Sequence, residues 1–143
     1  MPRPDDLPLV MLALVLATAG ARADTVVVAG AASPIQTLGS DEVARIFLGK
    51  AETTASGVRV LAIDQPEGAQ ARDEFYRQMT GKTPSQVRAY WARLIFTGKG
   101  QPPRQLDSAA AAKVLAENPH AIAYVDRMAV PTGMRIVYAA DPH

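Results

Sequence analysis

The hydrophobic positions along the chain follow two periods, one of strands and one of helices. Asp24 to Ala29 is a β-branched run bounded by Gly30 and Ser33-Pro34, which predicts a buried strand. Val43, Ile46 and Phe47 then share one helical face. Ser40 stands at the expected N-cap, Asp41 and Glu42 complement the first-turn dipole, and Gly49 supplies a C-terminal stop. Val58 to Ile63 predicts a second strand, and Asp64 to Gly68 a turn. That turn opens into a helix with Ala71, Phe75 and Met79 on its inner side and Gly81 at its end.

The next helix carries the clearest signals. Thr83 and Gln86 form a capping-box pair, and Pro84 sits where its missing N–H costs nothing. Val87, Tyr90, Trp91, Leu94 and Ile95 make an apolar stripe of the i, i+3, i+4, i+7, i+8 kind. Gly98 to Pro103 is a loop. Ser108 to Glu117 is an alanine-rich helix with Ala111, Val114 and Leu115 inward, closed by Asn118-Pro119. Ala121 to Val125 and Met134 to Tyr138 predict two more strands. Four strands interleaved with four helices define a single layered α/β domain. Ligands in such folds gather at the carboxyl ends of strands and the amino ends of helices, which directs attention to the Ile63–Gly68 turn.

Composition narrows the chemistry. At 143 residues the chain fits one domain. It contains no cysteine, which excludes disulfides, thiolate metal sites and a cysteine nucleophile. The formal net charge of +1 lacks the basic footprint of a nucleic-acid binder. Residues 1–23 read as a cleavable export signal. Leu7 to Ala19 is almost wholly apolar but short for a membrane span, and Ala21-Arg22-Ala23 has the small-x-small pattern of a cleavage site. The expected mature domain is 24–143, exported, with no membrane span after cleavage.

The two histidines, His120 and His143, lie in a loop and at the chain end, so neither suggests a metal ligand or a catalytic base. Asp64 and Glu67 read as residues of a solvated turn more readily than as a carboxylate pair for catalysis. No G-x-S-x-G elbow and no G-x-x-x-x-G-K loop occurs. The chain is expected to be neither an enzyme nor a cofactor carrier.

Four stretches carry a resemblance. Ser40 to Lys50 (SDEVARIFLGK), Asp64 to Phe75 (DQPEGAQARDEF), Tyr90-Trp91 through Ile95 to Gly100 (IFTGKG), and Asn118 to Val125 (NPHAIAYV) fall in one order. Together the chain resembles a short, single-lobe member of the phosphate-type (PstS-like) periplasmic substrate-binding proteins. The resemblance implies a three-layer-like α/β domain equivalent to one lobe of a type II periplasmic binding protein, with phosphate or another small anion as ligand. Members normally close two lobes over the anion; one lobe leaves the opposing wall to a homodimer or an envelope partner. The implied site is Gly68, Ala69, Gln70 and Arg72 at a helix amino end, where free N–H groups and the dipole favour an anion. Arg72 has three roles open: anion donor, solvent-facing cation, or partner of Asp73 or Glu74. The family's Ser-Gly-Thr turn matches Glu67, Gly68 and Ala69, so both hydroxyl donors are replaced. Two like charges 4 Å apart repel by about 4 kcal/mol at an effective dielectric of 20, so Glu67 weakens any anion held beside it. The second functional class is therefore a binding-protein lobe turned protein-interaction module in an envelope complex.

Overall fold

The computed structural model describes residues 25–140. The expected signal segment, Asp24 and His143 lie outside the described residues. Five strands and four helices follow in the order β1 (Thr25–Gly30), α1 (Ser40–Phe47), β2 (Leu61–Asp64), α2 (Gln70–Thr80), α3 (Pro84–Phe96), β3 (Arg104–Gln105), α4 (Ser108–Glu117), β4 (Ala121–Asp126) and β5 (Met134–Ala139). One 3₁₀ turn, Arg127–Ala129, follows β4.

The strands form one mixed sheet in the order β3-β2-β4-β1-β5. Strand β2 runs parallel to both β3 and β4, whereas β1 is antiparallel to β4 and β5. Every residue of β1 is buried, as its TVVVAG sequence requires of a strand covered on both faces. Alternation then divides its side chains. Val27 and Ala29 join a core with Val43, Phe47, Phe75, Tyr76, Val87, Trp91 and Tyr124, contributed by α1, α2, α3 and β4. Val26 and Val28 face the opposite way, against Leu115 of α4 with Ile63, Ala121 and Ala123. Three helices on one face and one on the other give three layers, in agreement with the expected α/β lobe.

Several local expectations are corrected. Gly39, not Ser40, is the N-cap of α1, and Glu42 accepts the Gly39 N–H at 3.2 Å. Strand β2 begins at Leu61, because Val58 to Val60 turn back on Glu52 to Thr54 instead. The fifth strand, β3, lies in a stretch too short to show a period. Ile95 leaves the predicted stripe of α3 and is 55% exposed, while Val87 and Trp91 are buried. The capping box of Thr83 with Gln86 and Pro84 at the first turn are present as read.

Candidate functional site

Strand β2 delivers Asp64 to its carboxyl end, next to the carboxyl end of β4, its parallel neighbour. Asp64 is buried, with 1% of its surface exposed. A carboxylate there requires donors on all sides. Tyr76 of α2 donates to Oδ2 at 2.7 Å. Tyr124 of β4 donates a short hydrogen bond to Oδ1, which also accepts the Gln65 N–H at 2.8 Å. The Gln65 side chain donates to the Tyr124 carbonyl at 3.1 Å and ties the turn to β4.

Arg72 completes the cluster. Its Nε lies 3.5 Å from Asp64 Oδ1 and both residues are buried. That nitrogen makes no aligned hydrogen bond within the described residues, so the attraction is Coulombic. The guanidinium carbon also lies 5.4 Å from the centroid of the Tyr76 ring. Burial is the first reason that the Tyr76 and Tyr124 phenols are pushed far above the usual tyrosine range, and the Asp64 charge and hydrogen bonds add to it. Both hydroxyls therefore stay protonated and keep donating. Beneath them Phe75 stacks on Tyr124 with centroids 3.9 Å apart, and Phe47 meets both rings edge-on.

The four sequence-predicted site residues separate here. Gly68 is exposed with φ +96, a value that suits glycine, and it shapes the turn before α2. Ala69 is the N-cap of α2 and supplies no side-chain cap, while its own N–H donates to the Pro66 carbonyl at 3.1 Å. It is thus not the free donor expected of it. Gln70 opens the helix and is exposed. Arg72 is turned inward to Asp64, neither solvent-facing nor paired with Asp73 or Glu74. Glu67 forms an exposed ion pair with Arg88 of α3 at 3.3 Å.

Tyr76 and Tyr124 were not singled out from sequence. The signal existed: Arg72, Phe75, Tyr76 and Met79 have i, i+3, i+4, i+7 spacing, and a cation on that stripe calls for a buried carboxylate. Among the described residues, no group of three or more His, Cys, Asp or Glu side chains is placed to hold a metal ion. None of the described helices is long and apolar enough to cross a membrane.

Fold and site together define one α/β lobe whose polar centre lies at the carboxyl edge of parallel strands. No family model and no curated protein matches the chain. Solved structures do. An ABC-type phosphate transport receptor from Vibrio cholerae superposes with a TM-score of 0.61 at 12% identity, covering 80% of this chain and 45% of that one. A Clostridium perfringens protein assigned as a phosphate ABC transporter substrate-binding protein, with phosphate bound, gives 0.60 at 15% identity over 80% of this chain and 44% of its own. PstS from Borrelia burgdorferi gives 0.59 at 11% identity, with coverages of 81% and 47%. The likeness is one of fold, and this chain spans less than half the length of each of these proteins.

Proposed function

We propose that this chain is a binding-protein-type domain of the cell envelope that takes a small anion, phosphate or sulfate, at the amino end of α2, and that it is not an enzyme. The observation that carries the reading is the opening of α2. The helix begins without a side-chain cap, directly after the carboxyl end of β2, in a fold shared with phosphate-binding proteins. The Gly68 turn leaves the Gln70 end of the helix exposed to solvent. Export and a periplasmic location rest on the N-terminal sequence. With Arg72 held by Asp64 and Glu67 close by, this reading calls for weak rather than tight binding.

The test is thermal unfolding of residues 24–143 with phosphate, sulfate or chloride at matched ionic strength. Ligand at 100 times Kd stabilises the native state by about 2.7 kcal/mol, or roughly 10 °C for a domain of this size. A shift with phosphate or sulfate beyond the chloride control supports the reading, and equal shifts sink it for both anions.

One observation favours a second reading. Two charged groups at the opening of α2 are already paired within the chain, Arg72 with Asp64 and Glu67 with Arg88. A lobe so arranged serves as a protein-interaction module in an envelope complex, and it gives no anion-specific shift in the same experiment.

A further inference from the structure

On the α4 face of the sheet, beside the amino end of α2, lies a recess of about 280 Å³. The recess is partly enclosed and lined mostly by apolar side chains, the setting in which small-molecule sites form. The alanine run of α4 makes the room: Ala111 and Ala112 line it, opposite Ala123 of β4, and Leu115 closes its wall. Longer side chains at these positions would fill the space. The recess also sits at the carboxyl ends of β2 and β4, where layered α/β folds receive ligands.

The charge of the lining selects the ligand. Among the described residues, Asp64 and Asp126 are its only charged lining, with no lysine, arginine or histidine beside them. Asp64 is already surrounded by donors from Tyr76, Tyr124 and Gln65, whereas Asp126 is half-buried and accepts the Met128 N–H with one oxygen. The remaining polar side chains, Gln65, Ser108 and Tyr124, each offer an acceptor as well as a donor, and those of Gln65 and Tyr124 already donate to the Tyr124 carbonyl and Asp64. Two carboxylates and no cation among the described lining residues disfavour an anion there, and an apolar body with a hydrogen-bond-donating end suits it.

We propose that the recess between α4 and the carboxyl ends of β2 and β4 binds a small, mainly apolar molecule bearing a hydroxyl or amine, and rejects carboxylates. The proposal extends the reading of this edge as ligand-binding by adding a second ligand class beside the anion.

The test uses three probes of one shape, benzyl alcohol, benzylamine and benzoate, titrated into ¹⁵N-labelled protein. The expected result is saturable amide shifts at Ala111, Leu115, Ala123 and Val125 with the alcohol and the amine, and at least tenfold weaker binding of benzoate there. Ala111→Leu, and independently Ala112→Val in case the first fails to fold, should abolish those shifts. The same variants should leave any phosphate response at Gly68 and Gln70 unchanged. Absence of shifts with all three probes, equal binding of benzoate at those four amides, or shifts surviving in a folded filled variant would overturn the proposal. A phosphate response without the benzyl response removes the recess site alone; the converse removes the anion site alone.

Discussion

Gly30, the last residue of β1, passes so close beneath α4 that a Cβ placed on it would lie 2.5 Å from the Leu115 carbonyl oxygen. Both partners in that contact are backbone, so neither can swing away. We expect Gly30→Ala to push α4 off the sheet and to cost about 1–3 kcal/mol. Urea unfolding of the variant checks this, and an unchanged midpoint would show that α4 shifts freely.

The ion pair of Arg72 with Asp64 yields a large predicted effect. Arg72→Met leaves a buried carboxylate without its cation and should destabilise by about 3–5 kcal/mol. The double variant Asp64→Asn with Arg72→Met removes both charges and should recover a large part of that loss. A double-mutant cycle in urea measures the coupling directly. Additive losses would mean that the two groups do not interact.

Alkaline pH should unfold the protein earlier than its composition suggests. Tyr76 and Tyr124 have folded-state pKa values raised above the unfolded value of about 10. Their stabilising contribution is complete below pH 10. Above it the unfolded chain releases protons that the folded chain retains, so stability falls by about 1.4 kcal/mol per pH unit for each tyrosine. Denaturant unfolding between pH 8 and 11 should show stability falling once the pH passes about 10, and Tyr124→Phe should make that fall shallower. A flat profile in the wild type would contradict the burial of both phenols.

The outer end of α3 should tolerate change. Phe96 is 90% exposed, whereas Trp91, one turn earlier, is buried. Phe96→Ser is expected to alter stability by no more than about 0.5 kcal/mol, against about 3–5 kcal/mol for Trp91→Ala. Parallel thermal melts of the two variants distinguish a core stripe running through 87 and 91 from one that includes 95 and 96.

How much of this was legible depended on whether the signal was local. Thr83, Pro84 and Gln86 act within one helical turn, so the start of α3 was readable from sequence. The β-branched run of β1 declares its burial, and Val43, Ile46 and Phe47 declare the inner face of α1. The Asp64 cluster was hidden because its members come from β2, α2 and β4 and meet only through the parallel pairing of β2 with β4. Nothing local distinguishes a buried aspartate from one in a solvated turn, and Asp64 followed by Gln65 and Pro66 reads as the latter. Arg72 was ambiguous for the same reason: Asp73 and Glu74 are its neighbours in sequence, but Asp64 is its neighbour in space. Strand β3 has two residues and no period to read.

The placing of β1 has a consequence for the order in which the molecule can assemble. Thr25 pairs with Asp126 and Val26 with Ala139, partners that follow about a hundred residues later in the chain. Strand β1 therefore has no strand to pair with until residues 121–139 have emerged. Closing so long a loop delays the reward of these contacts, and it places the domain among slow folders for its size. A chain cut after α4 lacks both strands that flank β1, so such a truncation is expected not to close the sheet.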